Sequence, residues 1–291
     1  MENPAGKPKI DFYKYESLGN DFVLVEEAQV AGMDGSALAK ELCSRRWGIG
    51  SDGLLVLNLQ DAPYRLRMFN PDGSEDFCGN GLRCAGLHLW RQGWVDKEAV
   101  LLHGGEPIPV RFDPAGWIDV TLPAPSFEPH RVPLAEGVGE VFERELTVAG
   151  HHLRVSALTT GSTHCVLSCS APPDEAVFRR VSMELETHPW FPQRTAVIWA
   201  WDSGPKQISI RIWERGVGET RGCGTGSAAA AACWFRKNPN LLAMGVMNPG
   251  GEAVVSRGPE GRLIVSAKAR FVFSGNTLSP HQPLSAPRDT P

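Results

Sequence analysis

The chain has 291 residues, a formal net charge of −4, 42% hydrophobic and 21% charged residues, the balance of an ordinary globular protein. So mild a charge gives nucleic acid or an anionic membrane no electrostatic reason to bind. No apolar run approaches the ~20 residues of a membrane span, and Met1 to Pro8 has no apolar stretch of a signal peptide, so the expected location is the cytoplasm.

Residues 1–8 and 279–291 read as disordered tails, the second rich in Pro and Ser. A strand is expected at Phe12 to Tyr15, then a polar turn from Ser17 to Asp21, then a strand from Phe22 to Val25. A helix follows from Ser36, as N-cap, to Arg46, with Gly48 as its stop. Leu54 to Leu59 and Arg65 to Phe69 read as strands, the second ended by the turn Asn70-Pro71-Asp72-Gly73. A helix opens at Cys78 and runs to about Gln92, and short strands fill 98–122. The Pro-rich stretch 123–133 reads as a linker. The order then repeats: strands within 140–170, a helix near 174–186, strands at 194–200 and 207–213, a helix opened at Cys223, and strands within 252–273. The run Ala228 to Ala232 suits a helix packed closely inside a sheet.

The expected fold is therefore α+β, with two pseudo-symmetric domains at 9–123 and 124–267. Each is a β-sheet wrapped around a central helix, and the active site lies in the cleft between them. The last strand, near 268–275, is expected to return to the first domain.

Seven cysteines stand at 43, 78, 84, 165, 169, 223 and 233. The number is odd and there is no Cys-x-x-Cys pair, which argues for free thiols rather than a disulfide framework. Cys165 and Cys169 beside His164 do not read as a metal knuckle, because the residues between them form a strand. Two of the seven open matched segments, Cys78-Gly79-Asn80-Gly81 and Cys223-Gly224-Thr225-Gly226, each after an alternating strand and before a helix. A thiol at a helix start feels the positive end of the dipole, which is expected to lower its pKa. Glycines let a ligand approach the backbone, whose N–H groups form an anion site. Two such thiols across a cleft can move a proton from one face of a carbon to the other. Dinucleotide binding is disfavoured, because the position after Gly79 and Gly81 that should hold the third glycine is Cys84. Glu214-Arg215 and Asn70 follow the corresponding strands. A carboxylate near one thiol and a histidine, His164, near the other could serve as proton acceptors.

The chain closely resembles the diaminopimelate epimerase family over roughly residues 10 to 275. The resemblance is carried by Leu18-Gly19-Asn20-Asp21-Phe22, Gly48-Ile49-Gly50-Ser51-Asp52-Gly53, Phe69-Asn70-Pro71-Asp72-Gly73-Ser74-Glu75, His188-Pro189-Trp190-Phe191-Pro192, Trp213-Glu214-Arg215-Gly216, and both cysteine segments. It implies a homodimer that binds a small amino-acid substrate and works without pyridoxal phosphate, other cofactor or metal. It implies proton transfer by Cys78 and Cys223, polarised by His164 and Glu214. Asn20 and Asn70 would hold substrate polar groups, Arg215 the distal carboxylate, and Glu214 the distal amine. Gly79, Asn80, Gly224 and Thr225 supply the helix starts. The sequence departs from the family at Ser162 and Ala196, where asparagines normally contact the distal end of the substrate, and the loop before Cys78 is one residue shorter. The leading expectation is epimerisation of LL- to meso-diaminopimelate. The alternatives are a racemase of histidine, lysine, ornithine or hydroxyproline on the same chemistry, and a non-catalytic amino-acid-binding protein.

Overall fold

The computed structural model describes residues 9–113 and 115–278; the two expected tails lie outside them. The strands, in chain order, are β1 (Lys9–Ser17), β2 (Asn20–Glu26), β3 (Gly53–Asn58), β4 (Tyr64–Phe69), β5 (Glu98–His103), β6 (Glu106–Phe112), β7 (Trp117–Leu122), β8 (Arg144–Val148), β9 (His151–Thr159), β10 (Thr163–Cys169), β11 (Ala196–Gly204), β12 (Gln207–Glu214), β13 (Gly218–Thr220), β14 (Ala243–Asn248), β15 (Gly251–Arg257) and β16 (Leu263–Leu278). Among the described residues four α-helices interrupt them: α1 (Gly35–Leu42), α2 (Gly79–Arg91), α3 (Glu175–Glu186) and α4 (Gly224–Lys237). No helix among the described residues is long and apolar enough to cross a membrane.

The duplication shows in the pairing. In the first half β2 and β3 are parallel around α1, and β4 and β5 are parallel around α2. In the second, β10 and β11 are parallel around α3, and β12 and β14 around α4. All other strand pairs are antiparallel, and one sheet path runs β1 to β7, then β16, β15, β14, β12, β11, β10, β9 and β8. β16 pairs with β15 and β7 through its first residues and with β1 through the rest, closing the first half into a ring.

Each sheet wraps one helix: α4 has almost no polar face to offer water, and α2 is enclosed with its Asn80, Arg83 and His88 buried. Ala228 to Ala232 are buried, and their methyl groups allow β10, β11 and β16 to approach. α2 buries Leu82, Cys84, Ala85 and Leu89 in the same core. The amphipathic helices α1 and α3 cover the outer faces and build separate cores with Leu38 and Leu42, and with Phe178, Val181 and Leu185. Cys165 belongs to the outer core under α3, with Cys169 packed against it.

Three local expectations change. The N-cap of α1 is Asp34, whose carboxylate accepts the Ser36 N–H at 3.0 Å. The helix ends at Leu42 because the chain folds back, with the Ile49 and Gly50 N–H groups both donating to the Leu42 carbonyl. Strands β13 and β14 appear where none was expected.

Candidate active site

Cys78 and Cys223 are the N-caps of α2 and α4, with nearly identical backbone angles of φ −135°, ψ 106° and φ −137°, ψ 111°. Each sulfur accepts the N–H three residues on, from Gly81 and Gly226, at 3.3 Å. Both glycines are needed for close approach. A Cβ on Gly81 would meet Leu55 Cδ2 at 2.8 Å, and one on Gly226 would meet Ile198 Cδ1 at 2.7 Å. The cysteine backbones are held alike. The Cys78 N–H donates to His103 Nε2 at 2.9 Å and the Cys223 N–H to Asn248 Oδ1 at 3.3 Å, each acceptor 25 residues downstream and last in its strand. His103 Nδ1 lies 3.0 Å from the Leu66 carbonyl. Nδ1 therefore carries the proton and Nε2 accepts, the neutral form that burial also favours.

The two helix starts face each other. A Cβ on Gly79 would lie 3.6 Å from the Gly224 Cα, and Asn80 Nδ2 reaches across to the Gly222 carbonyl at 2.9 Å. Between them lies a cavity of about 40 Å³. Every residue expected at the site lines it: Asn20, Asn70, Cys78, Gly79, Asn80, Ser162, His164, Ala196, Glu214, Arg215, Cys223, Gly224 and Thr225. Pockets that hold small ligands run to roughly 300 Å³ and more, so the halves must part for a substrate to enter.

The hydrogen bonds give the pocket a direction. His164 Nδ1 lies 2.8 Å from the Ser162 carbonyl, so it donates and Nε2 is left to accept. Thr225 Oγ1 is 3.2 Å from that nitrogen, 3.3 Å from the Cys223 sulfur, and accepts the Ser162 hydroxyl at 3.3 Å. A path thus runs from the Cys223 S–H to Thr225 and from the Thr225 O–H to His164. Burial holds His164 down at about 4, so it is neutral near pH 7. Burial pushes Glu214 up to about 7, with the Thr220 hydroxyl and the Cys223 thiol pulling it the other way.

The thiols themselves reverse the sequence expectation. Burial pushes Cys78 up to about 12 against the pull of the Gly81 N–H, and the Glu214 charge adds to the rise. Cys223 also lies well above its ordinary value, through burial and then Glu214. In so small a cavity the lost hydration of a thiolate outweighs the helix-start N–H groups.

On the distal side, Arg215 Nη2 pairs with Asp76 Oδ2 at 2.8 Å, joining the second half to the loop before α2. Ala196, opposite His164 in the β10–β11 pairing, offers no polar side chain. Asn20 is set by Asp52, which accepts its Nδ2 at 2.7 Å and is itself paired with Arg45 at 2.6 Å. Sequence reasoning passed over Asp76, Arg83, His103 and Asn248. The one signal for the last two was the shared 25-residue offset, hidden because a histidine and an asparagine look alike only as acceptors.

This fold and this paired arrangement define a class of isomerase, the epimerases and racemases. Solved structures share the fold. A hydroxyproline epimerase from Agrobacterium vitis superimposes with a TM-score of 0.69 at 12% identity, covering 93% of this chain and 91% of the other. A phenazine biosynthesis protein of the PhzF family from Bacillus anthracis gives 0.67 at 15% identity, covering 93% and 99%. Sequence relatives are nearer. The diaminopimelate epimerase of Moorella thermoacetica is 38% identical over 91% of this chain and 98% of its own length. That of Desulforudis audaxviator is 36% identical, again over 91% and 98%. The family description "Diaminopimelate epimerase" matches residues 12–110 and 156–271, and the chain belongs to that family.

Proposed function

We propose that the protein converts LL-diaminopimelate to the meso form, with Cys78 and Cys223 as the acid–base pair acting on opposite faces of one Cα. The observation that carries this reading is the pair of matched thiol N-caps on facing helix starts, in a chain whose relatives are diaminopimelate epimerases. The α-carboxylate of the substrate takes the helix-start N–H groups at Gly79, Asn80, Gly224 and Thr225, which close no intrahelical bond. One cysteine, as thiolate, removes the Cα proton, and the electron pair moves into the carboxylate held by those N–H groups. The other, as thiol, gives its proton to the opposite face. The first then holds the proton and the second the charge, so the next turnover runs in reverse sense.

His164, through Thr225, accepts along the hydrogen-bond path from the Cys223 S–H and polarises that thiol without taking its proton. Arg215 receives the distal carboxylate once Asp76 gives way, and Glu214 accepts a substrate ammonium. Ser162 and Ala196 withdraw two donors from the distal end, each worth roughly 1.5–3 kcal/mol toward a charged group, so Arg215 carries more of that recognition here.

The test is solvent-deuterium incorporation at Cα, followed by NMR on reduced protein without added cofactor, across diaminopimelate, histidine, lysine, ornithine and hydroxyproline. Exchange confined to diaminopimelate is the expected result. Exchange on another member alone would overturn the substrate assignment, and exchange on none would overturn the epimerase reading.

A further inference from the structure

Arg83 is fully buried on α2, one turn past Cys78. Its hydrogen bonds go to neutral oxygens: Nε donates to Ser17 Oγ at 3.0 Å and Nη2 to Asn80 Oδ1. Nη1 has no acceptor among the described residues. None of the ion pairs found among those residues includes it. The guanidinium lies under the junction of the two helix starts. A Cβ on Gly224, the residue after Cys223, would stand 2.9 Å from Nη2 and 3.5 Å from Nη1.

A buried cation with no anion is strongly unfavourable. A guanidinium does not escape by losing its proton, whereas a lysine there would. The proposed reaction supplies the missing anion. At every stage one negative charge resides on Cys78, on Cys223, or on the substrate between them. We propose that Arg83 is the fixed counter-charge of this site, balancing the single negative charge that the two cysteines exchange. The ionisable groups that bear on it are Cys84, Cys78 and Cys223. Glu214, at the end of β12 in the second half, acts on both reactive thiols and opposes Arg83 when ionised. His164 and His103 are held neutral, and Asp76 and Arg215 offset each other. Below pH 7, with Glu214 protonated, Arg83 is the net charge the thiols feel.

The inference rests on the two-thiol reading, but its test reads stability, so it stands or falls apart from turnover on diaminopimelate. Wild-type protein is alkylated at Cys78 or Cys223 with iodoacetate or with iodoacetamide, the position confirmed by mass spectrometry. The two adducts match in size and differ by one negative charge. At pH 6 the carboxymethyl protein should melt about 2–4 °C above the carbamidomethyl protein. Arg83→Met should remove most of that gap, with Arg83→Gln standing in if the Met variant does not fold. Equal melting of the two wild-type adducts would overturn the proposal. So would an undiminished gap in a folded Met or Gln variant, which would leave the effect to the helix dipoles alone.

Discussion

Cys78 and Cys223 could be told from five other cysteines because each opens a glycine-flanked helix start, a pattern that local chemistry makes readable. Replacing either with alanine should abolish epimerisation, a loss of at least about 10³-fold in turnover, while calorimetry still detects substrate binding. A single variant with near wild-type turnover would remove that cysteine from the reaction. What the sequence hid was the state of these groups, because their pKa values follow from how tightly the two halves close. Glu214 and His164 make that closure measurable. Glu214 is held near 7 against an ordinary 4.5, so between those values the unfolded chain has released a proton that the folded chain keeps. Its effect is to lower stability as pH rises from about 4.5 to 7. His164 is held near 4 against 6.5, so the unfolded chain gains a proton first and stability falls as pH drops from 6.5 to 4. The two oppose each other across the overlap. Glu214→Gln removes one of them. In urea titrations it should be more stable than wild type by about 2–3 kcal/mol at pH 8 and unchanged at pH 4. Equal effects at both pH values would show that Glu214 is not held neutral by burial.

At the scale of elements, α2 and α4 were legible and the strands around them less so. Their first residues carry the cap and the glycines, and the alanine run states how closely α4 is packed. β14 escaped because Ala243–Asn248 alternates weakly, with a glycine at its centre. It is held as a strand by pairing with β12 and β15, contacts no local pattern announces. Ser36 looked like the cap of α1, yet Asp34, two residues earlier, accepts the N–H, since a carboxylate is the stronger acceptor. The facing helix starts are not equivalent under substitution. A Cβ on Gly79 makes ordinary contacts at 3.6 Å, whereas one on Gly224 presses on the buried Arg83 and Asn80 at 2.9 and 3.2 Å. Gly224→Ala should therefore lose about 1–3 kcal/mol of stability in denaturant titrations, and Gly79→Ala much less. Equal losses would mean that the junction relaxes around either methyl. The loop before α2 supplies a second test. Asp76 competes with a distal carboxylate for Arg215, and because both side chains are partly exposed the pair is worth about 1 kcal/mol or less. Asp76→Asn should lower KM for diaminopimelate by up to about fivefold with kcat little changed. A raised KM would mean that Asp76 helps bind substrate rather than excluding it.

Across the whole molecule, one strand carries the sheet from the first half into the second and pairs with both. β16 runs from Leu263 to Leu278. Its first residues pair with β15 of the second half and β7 of the first, and its remainder makes nine register pairs with β1, from Ser17↔Ala269 to Lys9↔Leu278. The β1–β2 hairpin thus owes its position to the end of the chain, and it brings Asn20 to the cavity. Its two-residue turn, Leu18-Gly19, has φ of 55° and 75° at its centre, the mirror-image turn that suits a tight hairpin. That turn seats against Gly222 and Gly250, where any Cβ would stand within 2.1 Å of the Leu18 carbonyl oxygen. The return of the last strand could be anticipated from its position after the repeat, but the seat of the β1–β2 turn against Gly222, just before Cys223, could not, because it depends on backbone meeting backbone between residues far apart in the chain. A chain ending at Lys268 keeps the pairing of β16 with β15 and β7 and loses all nine pairs with β1. Tyr15 and Phe12 then lose Phe271 and Phe273, and the ring of the first half opens. The expected outcome is loss of deuterium exchange, fluorescence on adding a hydrophobic dye, and early amide exchange along Lys9–Glu26 while Ala243–Arg257 stays protected. Uniform loss of protection would show that the halves fold only together. Unchanged exchange along β1 would show that β2 alone holds it, and that closure of the ring contributes little to placing Asn20.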